Sequence, residues 1–160
     1  MFLYQNFSLK NGNLLMVSEF LPEWLKKKNA DLEVNPKLND KRNAIADFLI
    51  LVECIWCISN IEYQERIWVR HEDMDKIVDS YDDTTMYFIE DADIVLDGRQ
   101  EGHIEMTERQ HQVLKKLYDM VDVYDSSEDR PESDAEIVAD PKWHRIREYA
   151  KLVYEELTQE

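Results

Sequence analysis

The 160-residue sequence contains few of the residues that build turn-rich, crosslinked or membrane-spanning folds. It has three glycines, four prolines and two cysteines. This composition disfavours a turn-rich β architecture, and two cysteines do not make a disulfide framework. No apolar run reaches the roughly 18 residues of a transmembrane helix, and the N-terminus lacks the basic and apolar regions of a secretory signal. We therefore expect one mostly helical domain over residues 1–160 in a reducing, cytoplasmic compartment.

The longest apolar stretch runs from Ala44 to Ile58 and is interrupted only by Asp47 and Glu53. It is too short and too charged to cross a bilayer, so it predicts a buried helix over residues 40–60 that Asp40 caps and Asn60 ends. A step of about 100° per residue predicts one packing face that consists of Ile45, Phe48, Leu49, Val52, Ile55 and Trp56. On the opposite side, either a neighbouring helix can come close or solvent can reach the helix; it carries smaller or polar residues, namely Asn43, Ala46, Asp47, Glu53, Cys54 and Cys57.

Residues N-terminal to this helix predict three short elements. Asn11-Gly12 can supply the positive φ angles of a tight turn, so a small β-hairpin is expected over residues 1–17. Ser18 to Lys28 predicts a helix that Ser18 caps and that ends in three lysines. Residues 29–39 then predict a loop.

Two segments after the central helix leave their structure open. Residues 61–70 can either continue as a second helix or turn away, and residues 82–106 have apolar islands among acids, with turn signals at Asp97-Gly98 and Gly102. Between them, an apolar residue recurs at helical spacing from Asp73 to Tyr81, which predicts a helix there.

The C-terminal third has clear helix signals. Thr107 and Gln110 match a capping box, and the helix that follows has an apolar stripe of Val113, Leu114, Leu117, Tyr118, Val121 and Tyr124. Residues 125–140 predict a surface loop. Asp140-Pro141 then predicts the start of a last helix, whose buried residues would be Trp143, Ile146, Ala150, Val153, Tyr154 and Leu157. The sequence as a whole predicts an all-α bundle of five or six helices around residues 40–60.

Negative charge is concentrated in one half of the chain. The net charge is −16, with 35 acids and 19 Lys or Arg residues. Residues 1–71 hold nine of each, so residues 72–160 hold the remaining 26 acids and ten bases and account for the whole of the net charge. A field of this sign repels nucleic acid and anionic membranes and accelerates encounter with basic partners.

Tyrosines lie between many of these acids, and aromatic anchors surrounded by charge are typical of protein interfaces. We therefore expect a basic protein partner to bind an acidic belt, which is defined as Asp79, Tyr81, Asp82, Asp83, Tyr87, Glu90, Asp91, Asp93, Asp97, Glu101, Glu105, Asp122, Tyr124 and Asp125. The alternative is a surface whose charge serves only solubility.

Patterns of catalysis or metal binding are incomplete in this sequence. Cys54 and Cys57 form a CxxC near the end of a helix, whereas redox pairs lie at a helix N-terminus. Glu108 and His111 are half of a di-iron pattern, and the calcium-loop spacing from Asp97 to Glu108 has Arg99 where an oxygen ligand is required. We expect no cofactor and no enzymatic activity. The alternative is a metal-dependent enzyme that uses Glu53, Asp47 and a histidine.

Four features together resemble the immunity proteins of bacterial contact-dependent inhibition and other polymorphic toxin systems. They are the central IADFLILVEC helix, Trp68 soon after it, TERQHQVL at the start of a later helix and DPKWHRI at the start of the last one. The resemblance implies inhibition by stoichiometric binding to a basic toxin nuclease, whose active site or an adjacent surface is blocked by carboxylates that stand in for phosphates. A nucleic-acid mimic directed at a nuclease or a DNA-binding protein is the alternative.

Overall fold

The computed structural model describes residues 39–102 and 104–159, with side chains from Phe48 onward. Within these ranges the chain is mostly helical and contains no strand, which confirms the predicted all-α fold. None of the helices in this part of the chain is long and apolar enough to cross a bilayer. The predicted hairpin at Asn11-Gly12, the predicted helix from Ser18 to Lys28 and the predicted loop through residue 38 lie outside the described residues.

Six α-helices follow one another in the described ranges. They are α1 (Asn39–Ser59), α2 (Ile61–Tyr63, which continues as a π-helical segment, Gln64–Val69), α3 (Tyr81–Gln100), α4 (Glu108–Asp125), α5 (Asp134–Ala139) and α6 (Pro141–Thr158). Helix α1 packs against α3 and α6, and α4 packs against the same two helices. These four helices form a bundle, and α5 contacts both α6 and the π-helical segment.

Helix α1 is buried on all sides along its described side chains. From Leu49 to Ile58 every side chain is buried except that of Trp56, which is half-buried. The predicted packing face and the side with smaller or polar residues are thus both buried, and α3 and α6 both pack against this helix. The helix includes Asn39, so Asp40 lies within it and is not its N-cap. The predicted stop at Asn60 is confirmed.

The chain turns into α2 at Asn60, whose Oδ1 accepts a hydrogen bond from the Tyr63 amide at 2.8 Å. Residues 61–69 are thus helical, which settles the segment that the sequence left open. The predicted helix from Asp73 to Tyr81 is wrong. His71 and Asp73 have φ angles of 53° and 57°, and residues 72–76 form turns. Such left-handed residues stop a helix, and here they redirect the chain toward α3.

Helix α3 occupies most of the other segment that the sequence left open. Ser80 caps it by accepting a hydrogen bond from the Asp83 amide at 3.1 Å. The predicted turn at Gly98 is wrong because Gly98 lies inside this helix, where a Cβ would lie 3.2 Å from Ile104 Cδ1. The predicted turn at Gly102 is confirmed by its φ angle of 80°, which favours glycine.

The C-terminal helices follow their local sequence signals closely. Thr107 Oγ1 accepts from the Gln110 amide at 3.1 Å and Gln110 Oε1 accepts from the Thr107 amide at 3.0 Å, which confirms the capping box of α4. Asp140 caps α6 through the Lys142 amide at 2.9 Å. The predicted apolar stripes of α4 and α6 are buried except for the half-buried Tyr118 and Tyr154. The predicted loop 125–140 is wrong in part, since α5 lies within it.

Candidate protein-binding surface

The structure divides the acidic belt between the core and the surface. Five of its residues are buried, namely Asp79, Tyr81, Tyr87, Asp91 and Tyr124. The expectation that these side chains form part of an exposed face is therefore wrong. The three tyrosines were the aromatic anchors of the predicted interface, and because they are buried they are not available to a partner.

Two of these tyrosine rings, those of Tyr81 and Tyr124, are part of an aromatic core. Tyr81 and Tyr124 lie 5.1 Å and 5.3 Å from the ring of Trp143 between centroids, and Trp68 packs beside them. Each phenol reaches a carboxylate at the edge of this cluster. Tyr81 donates to Asp125 at 3.0 Å and Tyr124 donates to Asp140 at 2.8 Å. Burial and the adjacent carboxylate both raise the pKa of these phenols, so they remain protonated donors.

Asp79 is the acceptor of a buried polar cluster. Its Oδ2 accepts hydrogen bonds from Tyr63 Oη at 2.8 Å, Trp68 Nε1 at 3.0 Å and Thr84 Oγ1 at 2.7 Å. The carboxyl group is 2% exposed. Burial raises its pKa to about 6, although the three donors act in the opposite direction. Asp79 therefore links α2, the π-helical segment and α3 rather than facing a partner.

Sequence reasoning missed a second buried cluster, which is centred on Gln64. The Gln64 Nε2 donates to the carbonyl oxygens of Cys57 and Ile58 at 2.8 Å and 2.7 Å, and these carbonyls end α1. Its Oε1 accepts from Trp143 Nε1 and Arg147 Nε, both at 3.1 Å. One amide thus satisfies the open end of α1 and anchors α6 to it. A lone glutamine in a polar segment carries no signal for such a role.

The residues considered for redox or metal chemistry are in the core or paired with one another. Burial raises the pKa of the Cys54 and Cys57 thiols well above the usual range, which keeps them protonated and unreactive near neutral pH. Glu53 is 1% exposed, and burial raises its pKa well above its usual range. Arg99 Nη2 donates to Glu108 Oε2 at 3.0 Å, so the cation at the third position of the calcium-like spacing pairs with the carboxylate at its last position.

No three His, Cys, Asp or Glu side chains converge as a metal site within the residues that the structure describes. Asp97 lies inside α3, where the calcium pattern requires the start of a loop. Of the alternative metal set, Glu53 is in the core and the Asp47 side chain lies outside the described ones.

Nine residues of the acidic belt are exposed or half-buried. Glu101 and Glu105 follow α3, Asp122 and Asp125 belong to α4, and five lie on α3 itself. Those five share one helix face with two large apolar side chains, Met86 and Ile94, which are 46% and 45% exposed. We call this set the α3 acidic face; it consists of Asp82, Asp83, Met86, Glu90, Asp93, Ile94 and Asp97.

The α3 acidic face follows from the helical period. The exposed residues all lie within about a third of the helix circumference at 3.6 residues per turn. The opposite side holds Phe88, Ala92 and Val95, which are fully buried. At a rise of about 1.5 Å per residue, the face extends for roughly 22 Å between its first and last acids. The helix has a single basic residue, Arg99, in its last turn. It can therefore present carboxylates and apolar contacts to a partner together.

Comparison with protein-family models, with curated protein sequences and with solved structures yields no match for this chain.

Proposed function

We propose that this protein is a non-enzymatic inhibitor that binds a basic protein partner through the α3 acidic face. In the manner of the toxin immunity proteins that its sequence resembles, it neutralises a cognate toxin domain, a nuclease, in the cytoplasm by stoichiometric binding. The observation that carries the proposal is the composition of this face. Five carboxylates surround Met86 and Ile94, both nearly half exposed.

Some of the carboxylates of the α3 acidic face stabilise helix α3 and others destabilise it. Asp82 and Asp83 lie in the first turn of α3, where negative charge stabilises the helix. Asp93 and Asp97 are one turn apart, and like charges at this spacing destabilise a helix by about 0.2–0.5 kcal/mol. Asp97 also lies in the last turn, where the helix dipole disfavours an anion. The cations of a basic partner would attract these carboxylates and offset their unfavourable interactions within the helix.

The two apolar side chains and the carboxylates have different roles in this mechanism. Full burial of a Met or Ile side chain contributes roughly 1.5–3 kcal/mol, so covering the exposed half of each would contribute about 1 kcal/mol. The carboxylates attract the cationic surface with which a nuclease binds phosphates and accelerate encounter. Binding there blocks access of nucleic acid to the nuclease.

The direct test is binding to a basic toxin domain encoded beside this gene. We expect a one-to-one complex whose association rate constant falls steeply as salt concentration rises. The double variant Asp93→Lys/Asp97→Lys should slow association at least about tenfold. The matched control is Glu132→Lys/Glu155→Lys, which changes the net charge equally at exposed positions outside this face.

Three results would contradict the proposal. The neighbouring gene product does not bind, or the control slows association as much as the α3 variant does, or the protein binds several unrelated basic nucleic-acid-binding proteins equally well. The last result would favour a nucleic-acid mimic, since an immunity protein discriminates in favour of one partner.

A further inference from the structure

A second surface of opposite character lies between α4 and α6. It is a groove of about 580 Å³ whose lining includes Met120, Val123 and Ile146. Val123 is 68% exposed, which makes it the most exposed large apolar side chain within the described ranges. We call this surface the α4/α6 groove. An apolar side chain so exposed on a regular helix is available to a partner.

Three exposed cations also line the α4/α6 groove. They are Lys116, Lys142 and Arg145. Lys116 Nζ lies 4.7 Å from the centre of the Tyr149 ring, which holds its ammonium group near the protein surface. Lys142 Nζ contacts Asp129 at 3.0 Å, but both side chains are more than half exposed and such a pair contributes little. Arg145 makes no ion pair with any residue in the described ranges.

One acid, Asp119, also lines the groove. Its Oδ1 accepts from Lys115 Nζ at 2.5 Å, in a pair that is half exposed and as weak as the Lys142–Asp129 pair. Three cations therefore face one acid in the lining of the groove. The groove is therefore positive in a chain whose net charge is −16. Its positive charge and apolar lining complement a ligand that carries an apolar stripe between carboxylates.

We propose that the α4/α6 groove is a docking site for an acidic amphipathic helix of a protein partner. The apolar stripe of that helix would pack on Met120, Val123 and Ile146, in the way a third helix packs on a helix pair. Its carboxylates would face Lys116, Lys142 and Arg145. A basic helix of the same apolar pattern is repelled by the same three cations. The groove shares no residue with the α3 acidic face, so the two surfaces can bind different partners.

The test uses the full chain and two synthetic peptides of roughly 18 residues, a length that allows appreciable helix formation. Both have leucines at helical spacing; one has glutamates at the flanking positions and the other has lysines. We expect fluorescence anisotropy to show saturable one-to-one binding of the glutamate peptide. Val123→Glu should weaken that binding about tenfold or more, because it places an anion against the peptide carboxylates. Arg145→Glu should weaken it and reduce its dependence on salt.

Met74→Glu is the matched control, since it places the same charge at an exposed apolar position outside both the groove and the α3 acidic face. It should leave binding of the glutamate peptide unchanged. The proposal is overturned when the glutamate peptide does not bind, or when Val123→Glu and Met74→Glu weaken its binding equally. It is also overturned when sedimentation shows self-association of the wild type that Val123→Glu abolishes, since the occupant is then a second copy. Circular dichroism verifies that each variant remains folded.

Discussion

Replacing Asp79 with asparagine should make the protein less sensitive to pH. The asparagine Oδ1 can accept the hydrogen bonds that Tyr63, Trp68 and Thr84 now donate to Asp79 Oδ2. The substitution therefore keeps the buried acceptor and removes its titration. The side chain is 2% exposed, so solvent screens its charge only weakly.

The size and sign of the effect follow from the pKa of Asp79, which burial raises from 3.8 to about 6. Because the folded state holds the proton more tightly than the unfolded state, this carboxyl stabilises the fold below its unfolded pKa. That stabilisation is lost as the pH rises through about 6. The whole difference corresponds to about 3 kcal/mol, of which about 1.4 kcal/mol falls between pH 5 and pH 7.5.

The assay is urea denaturation of the wild type and Asp79→Asn at several pH values between about 5 and 7.5, above the sequence pI of about 4.6, where neutral net charge promotes association. Acids that both proteins share contribute equally to the two unfolding free energies, so their contributions cancel in the difference. We expect this difference to shift in favour of Asp79→Asn by about 1.4 kcal/mol with rising pH. A difference that stays constant, or that shifts toward the wild type, would refute the reasoning. It would mean that the three donors outweigh burial and keep Asp79 ionised.

Three further substitutions test other parts of the fold by denaturation. Glu53→Met should raise the unfolding free energy at neutral pH by about 1–3 kcal/mol, because it removes a buried carboxyl group whose oxygens make no hydrogen bond with described residues. Gln64→Leu should lower it by about 3–5 kcal/mol because four buried groups each lose a hydrogen bond. Gln112→Leu on the exposed face of α4 should change it by less than about 0.5 kcal/mol. Thr107→Ala should lower it by about 1 kcal/mol through loss of the α4 cap. Equal changes in the unfolding free energy for Gln64→Leu and Gln112→Leu would contradict the role given to Gln64. An unchanged unfolding free energy for Glu53→Met or Thr107→Ala would contradict the role given to that residue.

Local signals in the sequence predict the ends of helices well. Thr107, Asp140 and Asn60 act on amides two or three residues away, so no knowledge of the tertiary fold is required. The buried face of α3 has no such signal. It includes Thr84 and Asp91, and polar residues at core positions interrupt the apolar period on which helix prediction depends. The sequence therefore left residues 82–106 open.

The burial of the acidic-belt tyrosines also depends on tertiary packing that their sequence neighbours do not indicate. Tyr81 and Tyr124 are adjacent to acids in sequence, which suggested an exposed aromatic surface. In the fold their rings pack on Trp143 while Asp125 and Asp140 accept their hydroxyl protons. An acid beside a tyrosine is thus as compatible with a core edge as with an interface. Only the tertiary packing of the two rings on Trp143 distinguishes a core edge from an interface.

Separating buried from exposed acids strengthens the functional argument. Asp79 serves the core, and Asp125 and Asp140 accept from tyrosines, so their negative charge has a structural role. Glu90 and Asp97 lie on the outer face of α3, and the helix disfavours the charge of Asp97, which lies in the last turn and one turn from Asp93. Substitution of Asp97 with a neutral residue should therefore leave the fold unharmed or slightly stabilise it, whereas Asp93 also accepts a hydrogen bond from the Tyr118 hydroxyl. A loss of partner binding without loss of stability at Asp97 would separate the function of α3 from its folding.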